Sequence, residues 1–241
     1  MTACATLPMY DWPEARACVD GFYARLRALV PDLPEVLSRP QTEAQIHALW
    51  HDPALVLGQT CWGPMQAGLA AHVHVLAQPG YDDVAGGRGP NYRSALVMRG
   101  GGAACPVPGD DGAHLPPGLA ALRPAINAPH SLSGCKAPAQ DIGDPALAAR
   151  AQVTGSHRAS ICAVAAGTAD FAAIDCRSWA LALMHEPAAR ALTVTGWTAL
   201  RPGLPFITAR ATPPTLRTAL AQALGRLGAH PVPQSRYEDT P

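Results

Sequence analysis

Residues 155–175 constrain the fold of this chain more than any other segment. The segment opens with a Gly-Ser turn, continues through the helical pattern of residues 156–166, stops at Gly167 and ends in the apolar run Phe171–Asp175. Open α/β sheets place their ligands at loops that open helices and at residues that end strands. We therefore predict a turn, a helix and a buried strand in that order, with Asp175 at the ligand-facing end of the strand.

A second segment, residues 124–134, has a similar organisation. Residues 124–128 predict a strand, and the run Ser-Leu-Ser-Gly at residues 131–134 follows at the start of a predicted helix. Hydroxyls and unpaired N–H groups at a helix start can donate several hydrogen bonds to an oxyanion. An ordinary N-cap turn uses the same residue types, so an oxyanion site and a simple helix cap are both consistent with this segment.

Apolar patterns predict strands and helices that alternate along most of the chain. Such alternation favours an α/β fold with mixed, mostly parallel sheets and helices on both faces. Residues 80–91 and 100–117 are rich in Gly and Pro and predict surface loops, whereas the residues from Gly228 onward predict a frayed tail. The predicted strands are 7–10, 55–60, 72–77, 94–98, 124–128, 151–154, Phe171–Asp175, 192–196 and, at a sheet edge, Phe206–Ala209; the predicted helices are 13–30, 42–50, one from Ser133, 145–150, 156–166, 178–185 and 214–227.

The composition is that of a globular protein with no nucleic-acid partner. Of the 241 residues, 48% are hydrophobic and 15% are charged, and the formal net charge is zero. The chain therefore has no excess of basic residues to attract nucleic acid. It contains no run of about 18 apolar residues, so we expect no membrane insertion.

Cysteine usage and the first residues predict the cellular compartment. The seven cysteines are odd in number and lack CxxC spacing, which is typical of proteins in a reducing compartment. The first residues show no signal-peptide pattern. We therefore expect a cytoplasmic location, or a periplasmic one if the gene start lies upstream of this sequence.

In their order and spacing, these segments resemble the phosphonate- and phosphate-binding proteins of ABC transporters, which have the two-lobed type II periplasmic-binding-protein fold. The family pattern is a Ser-x-Ser-Gly turn after a strand, then a Gly-x-His loop, a helix, a Gly and an Asp-containing strand, matched here within residues 131–175. The resemblance implies a first lobe from residues 1–96 and 195–241 and a second lobe from residues 97–194, with the ligand in the cleft between them.

The resemblance also implies a function. Family members bind small phosphonate- or phosphate-like oxyanions reversibly by hinge closure. They act without a cofactor and without catalytic turnover, and their partner is an ABC permease. The alternatives implied by relatives on the same fold are a cytoplasmic enzyme of the thiamine-precursor or menaquinone biosynthesis type, and a ligand-sensing subunit with a signalling partner.

The matched motifs imply which residues of the second lobe bind the ligand. Ser131, Ser133 and Gly134 correspond to the anion-binding turn of the family, in which Leu132 replaces a further hydroxyl. That replacement removes one donor to the oxyanion.

The loop and strand that follow the turn supply three further candidates. Ser156 and His157 correspond to the loop whose histidine donates to the phosphonate oxygens in the family. Asp175 corresponds to a variable position at which an acid can bind a ligand amine. From the residues alone, Ser156 or His157 could instead cap the helix that they begin, and Asp175 could cap the helix that follows it.

The first lobe and the crossing strand supply the remaining candidates for ligand binding. Tyr10, Thr60 and Cys61 follow predicted strand ends, and Tyr92 precedes the strand that we expect to cross between lobes. An aromatic ring in such a position can cover an apolar or cationic part of a ligand. Packing in the core is the alternative role for each, and Thr60 is distinguished by its position at a turn.

Two other chemistries explain the residues less well. A nucleophile at Ser156 or Cys61 would need a base and an orienting group, and adjacent residues such as Ser156 and His157 do not aim at each other at a helix start. His72 and His74 alternate on a predicted strand and could bind a metal ion, but no set of carboxylates or thiols accompanies them. We therefore expect neither catalytic nor metal-binding residues.

Overall fold

The computed structural model describes residues 2–100 and 103–232, and the chain divides into two compact units. Unit 1 is formed by Met1–Gly80 and Gly203–Pro241, and unit 2 by Tyr81–Pro202, within the described ranges. Residues 81–96 and 195–202, which the sequence assigned to the first lobe, thus lie in unit 2. The reason is that the strands starting at Ser94 and Leu192 pair with each other in its sheet.

Both units combine helices and sheets, as expected for an α/β fold. No helix in residues 2–100 or 103–232 is long and apolar enough to cross a lipid bilayer. The α-helices are α1 (Arg16–Leu29), α2 (Glu43–Trp50), α3 (Trp62–Gln66), α4 (Ala137–Ile142), α5 (Leu147–Arg150), α6 (His157–Ala166), α7 (Cys176–His185) and α8 (Pro214–Arg226). Short 3-10 helices cover Pro13–Ala15, Leu69–Ala71, Leu119–Ala121 and Pro187–Ala191, and a π-helical turn covers Leu132–Lys136. The strands are β1 (Cys4–Thr6), β2 (Leu55–Gln59), β3 (Val73–Ala77), β4 (Gly87–Arg88), β5 (Asn91–Tyr92), β6 (Ser94–Arg99), β7 (Pro124–Ile126), β8 (Gln152–Val153), β9 (Phe171–Asp175), β10 (Leu192–Trp197), β11 (Arg201–Pro202) and β12 (Phe206–Ala209).

Unit 1 is built on a four-stranded sheet in the order β1-β2-β12-β3. Strands β1 and β2 are parallel, whereas β12 runs antiparallel to both β2 and β3. The predicted edge position of β12 is therefore wrong, because it lies between two strands. The first strand is Cys4–Thr6 rather than residues 7–10, since Pro8 has no N–H to donate to a ladder.

Apolar side chains of α1 and α8 form one core with this sheet. Leu26 of α1, Leu57 of β2, and Leu220 and Leu224 of α8 are fully buried in the same cluster. Burying a leucine side chain contributes about 1.5–3 kcal/mol. The helical spacing that predicted these two helices is thus the spacing that places their apolar faces on the sheet.

The segment that follows α8 is paired with unit 1 as far as it is described. The Gln78 N–H donates to the His230 carbonyl at 2.9 Å, and the His230 N–H donates to the Gln78 carbonyl at 2.7 Å. The predicted fraying is therefore wrong for residues 228–230. The remainder of the predicted tail, residues 233–241, lies outside the described residues.

Unit 2 contains a five-stranded sheet in the order β10-β6-β9-β7-β8 and a small sheet in the order β11-β5-β4. Strand β7 is parallel to β8 and β9, whereas β6 is antiparallel to β9 and β10. The sheets are mixed, as predicted, with more antiparallel than parallel pairs among the described strands. Because β7 and β9 are parallel, their carboxyl ends meet at the same edge of the sheet.

The predicted surface loop 80–91 contains a packed hairpin. Tyr81 is fully buried. A few residues later, β4 and β5 pair with each other in antiparallel orientation. A Cβ atom on Gly87 would lie 2.0 Å from the Tyr81 carbonyl oxygen. Only glycine allows this close approach, so one of the glycines that suggested a loop is there to permit packing.

Candidate functional site

The turn at residues 131–134 follows β7 and opens the π-helical turn Leu132–Lys136. Ser131 is its N-cap, and the Ser131 hydroxyl accepts a hydrogen bond from the Gly134 N–H at 3.2 Å. Ser131 and Ser133 are each 4% exposed, and their hydroxyl oxygens are 3.5 Å apart. The turn therefore serves as a cap, and it also holds two buried hydroxyls side by side.

The loop that opens α6 is tied to the end of β7. Gly155 has φ +88°, which favours glycine, and its N–H donates to the Asn127 carbonyl at 3.0 Å. Ser156 is the N-cap of α6, and its hydroxyl accepts from the Ala159 N–H at 3.0 Å. The Ser156 side chain thus has the capping role that we kept as its alternative, and His157 is left as the first residue of the helix.

The His157 ring lies between the 131–134 turn and the end of β9. Its Nε2 atom is 2.9 Å from the Ser133 hydroxyl and 3.4 Å from Asp175 Oδ2. Burial lowers the pKa of His157, and the nearby Asp175 carboxylate opposes that shift only in part. The imidazole is therefore neutral near pH 7, so Ser133 is its hydrogen-bond partner and the 3.4 Å approach of Asp175 Oδ2 is not an ion pair at that pH.

Asp175 ends β9 and begins α7. Its Oδ1 atom accepts from the N–H groups of Arg177 and Ser178 at 3.1 and 3.0 Å, so it caps α7. Its Oδ2 atom faces His157. The capping role that we kept as an alternative is thus present, and a direct role of Asp175 in ligand binding remains a prediction.

Two polar residues that sequence reasoning missed belong to the same group. Ser94 lies opposite Asp175 in the β6–β9 ladder, and its hydroxyl donates to the Ser133 carbonyl at 3.0 Å. The Asn127 Oδ1 atom is buried without a hydrogen-bond partner among the described residues. Asn127 directly follows β7. A polar residue at the end of a buried strand is the same signal that identified Asp175 at the end of β9.

Asn127 and Gly134 fit against each other closely. A Cβ atom on Gly134 would lie 1.9 Å from Asn127 Oδ1 and 3.3 Å from His157 Cε1. The glycine of the Ser-x-Ser-Gly run is therefore required by the neighbouring side chains. We call Asn127, Ser131, Ser133, His157 and Asp175 the cradle; all five belong to unit 2.

The other predicted ligand residues occupy different positions. Tyr10 is half-buried in the loop after β1, and Cys61 is the N-cap residue of α3 with no side-chain capping bond. Thr60 is fully buried, its N–H donates to the Pro205 carbonyl at 3.1 Å, and its hydroxyl is buried without a hydrogen-bond partner in the described residues. Tyr92, 2% exposed in unit 2, stacks on Tyr81 with ring centroids 5.5 Å apart. Ligand contacts by these four residues remain predictions.

The cradle does not have the geometry of a hydrolytic triad. In such a triad, the acid binds the ring nitrogen that does not contact the nucleophile. Here Ser133 and Asp175 both lie against Nε2 of His157, and Nδ1 is buried with no partner in the described part of the chain. The hydroxyl of Ser156 is engaged with Ala159. The arrangement therefore suits binding better than nucleophilic attack.

The two histidines of the third strand region are poor metal ligands. His72 is exposed and its ring contacts that of His51, with centroids 5.0 Å apart. Burial, with Arg217 and Arg210 nearby, lowers the pKa of His74. Positive neighbours that disfavour a proton on His74 also disfavour a cation there.

The buried imidazole predicts a pH dependence of stability. Because the folded-state pKa of His157 lies below its ordinary value of about 6.5, the unfolded chain binds the proton better. Stability should be fully present above about pH 6.5 and fall as the pH decreases through the folded pKa. Each unit of depression corresponds to about 1.4 kcal/mol, or about 3–6 °C in melting temperature for a chain of this size.

A comparison of wild type with His157→Gln isolates this effect. His74 has the same sign of shift and remains in both proteins, and the carboxylates with lowered pKa titrate at lower pH. Melting curves between about pH 5 and 7.5 should show a steeper loss for the wild type. Parallel curves for the two proteins would contradict the neutral, buried state of His157.

Comparisons with known proteins agree on a family and a fold. The family model described as "ABC transporter, phosphonate, periplasmic substrate-binding protein" matches residues 62–236. A search of curated proteins found no match.

Solved structures with similar folds include two binding proteins from phosphonate systems. PhnD1 from Prochlorococcus marinus, solved with methylphosphonate, is 13% identical with a TM-score of 0.66, and the match covers 92% of this chain and 83% of PhnD1. A binding protein component of an ABC phosphonate transporter from Pseudomonas aeruginosa is 18% identical with a TM-score of 0.60, covering 95% and 80% of the two chains. XAC2383 from Xanthomonas citri, solved with ATP, is 13% identical with a TM-score of 0.63, covering 98% and 93%. At these identities, the structural similarity establishes the fold alone.

Proposed function

Since the chain belongs to the phosphonate-binding family of ABC-transporter periplasmic substrate-binding proteins, we propose that it binds a small phosphonate- or phosphate-like oxyanion reversibly through the cradle of unit 2. The observation that carries this proposal is the convergence of two hydroxyls and one imidazole. These three side chains come from two segments of the chain. The Ser133 hydroxyl lies 3.5 Å from the Ser131 hydroxyl and 2.9 Å from His157 Nε2. Their family positions are those of the anion-binding turn and loop.

The cradle offers the donors that a tetrahedral oxyanion requires. Each serine hydroxyl has one hydrogen to donate and can reorient it toward a ligand oxygen. Hydrogen bonds to a charged oxygen contribute about 1.5–3 kcal/mol each. The N-terminus of α6, a ten-residue helix that begins at His157, adds a favourable potential for an anion.

We place the protein among binding components rather than enzymes. The family consists of transport binding proteins. Among the described residues, Ser133 is the serine that contacts the buried histidine, and it shares Nε2 with Asp175. The other nitrogen has no partner in the described residues that could orient the ring. An ABC permease is accordingly the partner that we propose, in preference to a signalling protein.

The compartment remains a prediction. The family is described as periplasmic, whereas cysteine usage favours a reducing environment. No disulfide joins any of the seven cysteines, all of which lie in the described ranges. Cys176 is buried, and its burial together with the nearby Asp175 carboxylate raises the pKa of its thiol far above the ordinary value, which keeps that thiol unreactive.

Ligand binding without conversion is the expected outcome of incubation with methylphosphonate or phosphate. A ligand at about 100 times its dissociation constant stabilises the folded protein by about 2.7 kcal/mol, which raises the melting temperature by about 5–11 °C. Mass spectrometry of the incubated ligand should recover it unchanged. Turnover of either compound that is abolished by His157→Ala would contradict the proposal and favour an enzyme on the same fold.

A further inference from the structure

The surroundings of the His157 ring determine which nitrogen carries the proton. Asp175 Oδ2 is an acceptor 3.4 Å from Nε2, and Asp175 is 2% exposed. A buried carboxylate next to a ring nitrogen requires that nitrogen to be a donor. Since the ring is neutral, the proton is on Nε2, shared between Asp175 and the Ser133 hydroxyl. The other nitrogen, Nδ1, then has a lone pair and can only accept a hydrogen bond.

Two side-chain acceptors of the cradle are therefore buried without a donor. His157 Nδ1 and Asn127 Oδ1 each lack a hydrogen-bond partner in residues 2–100 and 103–232. A Cβ on Gly134 would meet Asn127 Oδ1 at 1.9 Å and His157 Cε1, the carbon between the two ring nitrogens, at 3.3 Å. Leaving such acceptors unpaired is costly, and a molecule that brings its own donor would relieve that cost.

A fully ionised oxyanion brings only acceptors. The hydroxyls of Ser131 and Ser133 can donate to its oxygens, but Asn127 Oδ1 and His157 Nδ1 would face oxygen lone pairs. The Asp175 carboxylate adds a buried like charge near the same place, which disfavours a second negative charge. A singly protonated oxyanion carries one charge less and has an O–H to donate.

Building on the proposed oxyanion-binding function, we propose that the cradle selects oxyanions that carry a proton, the hydrogen-phosphonate or dihydrogen-phosphate monoanion, with Asn127 as the specificity-determining residue that accepts the P–OH hydrogen. The single O–H of a hydrogen-phosphonate goes to Asn127, and only dihydrogen phosphate has a second hydrogen for His157 Nδ1. The Ser131 and Ser133 hydroxyls donate to the ionised oxygens. Both acceptors are enclosed, so the ligand reaches them as the 131–134 turn moves away from Asn127; π-helical turns of this kind are frequent at functional sites.

Methylphosphonate and methanesulfonate provide a matched pair of probes. Below about pH 6, where phosphate groups keep their second proton, both are monoanions of similar shape, and only the phosphonate has an O–H. Calorimetry with the full chain should give at least about tenfold tighter binding of methylphosphonate. Under the same conditions, phosphate should bind more tightly than sulfate.

Two variants of Asn127 assign the selection to its side-chain oxygen. Asn127→Leu removes the acceptor at similar volume, so methylphosphonate affinity should fall about tenfold and the preference for methylphosphonate over methanesulfonate should be lost. Asn127→Asp keeps an acceptor oxygen, so affinity for both ligands should fall but the preference should remain. Melting curves verify folding, and Asn127→Ala, which also removes the acceptor, replaces Asn127→Leu if the leucine side chain prevents folding.

The outcomes separate this inference from the function on which it rests. Equal binding of methylphosphonate and methanesulfonate by the wild type would overturn the selection while leaving oxyanion binding intact. An unchanged preference in the acceptor-deficient variant would overturn the role of Asn127. Failure of all four anions to bind would overturn the proposed function itself, and this inference with it.

Discussion

A Ser133→Ala, His157→Ala double variant is expected to bind methylphosphonate or phosphate at least about a hundredfold more weakly than the wild-type chain. The two side chains contact each other at 2.9 Å, so both are positioned to engage the same ligand. Hydrogen bonds to charged groups contribute about 1.5–3 kcal/mol each, and two such losses exceed the 2.8 kcal/mol that corresponds to about a hundredfold in affinity. Isothermal titration calorimetry measures the change directly.

Ser160→Ala provides the matched control for this double variant. Ser160 is a buried serine of α6 whose hydroxyl is 2.7 Å from the Thr154 hydroxyl. Its loss should lower stability modestly and leave affinity within about twofold. An unchanged affinity in the double variant, or an equal loss in the control, would remove Ser133 and His157 from the binding site.

The local organisation of the cradle could be predicted because it follows from short-range signals. The strand Phe171–Asp175 has its predicted bounds, since an apolar run that ends in an acid has few other folded states. Ser156 and Ser131 cap the elements that they were predicted to open. Caps and buried strands are set within a few residues, and a single sequence contains that information.

Pairing between distant residues could not be predicted in this way. Ser94 lies opposite Asp175 because β6 and β9 pair in a particular register, which no local pattern specifies. The central position of β12 arises because a strand near the end of the chain inserts between two early ones. Asn127 was overlooked because its importance depends on contact with Gly134, and that contact exists only after β7 and the 131–134 turn have folded.

Arg93 is a second feature that the sequence did not reveal, and it supports the cradle from the neighbouring position. The side chain is 2% exposed, and burial lowers the pKa of its guanidinium. It donates to the carbonyls of Gly112 and Thr198 at 2.6 and 2.8 Å, and also to the Asp110 carbonyl. The next residue, Ser94, donates its N–H to the Thr198 hydroxyl at 2.8 Å and its hydroxyl to Ser133. Arg93 thus ties the loop that contains Asp110 and Gly112, and the residue that follows β10, to the start of β6. The first residue of β6, Ser94, in turn contacts the 131–134 turn.

Replacing Arg93 by alanine should therefore destabilise unit 2 strongly. The change leaves a cavity and deprives three carbonyls of their donor. Hydrogen bonds from a charged donor contribute about 1.5–3 kcal/mol each, and two of the three are only partly buried, so the loss should cost about 3–5 kcal/mol. The melting temperature should fall by about 6–20 °C. Arg93→Lys should lose less stability than Arg93→Ala, because an ammonium keeps the charge. It should still be less stable than the wild type, because an ammonium cannot reproduce the planar fork of donors.

Arg190→Ala, at an exposed arginine of the same unit, should change stability by no more than about 0.5 kcal/mol. Calorimetric melting of the three variants tests this order, and an Arg93→Ala protein that melts with the wild type would show that the buried guanidinium is not needed to hold this part of unit 2 together.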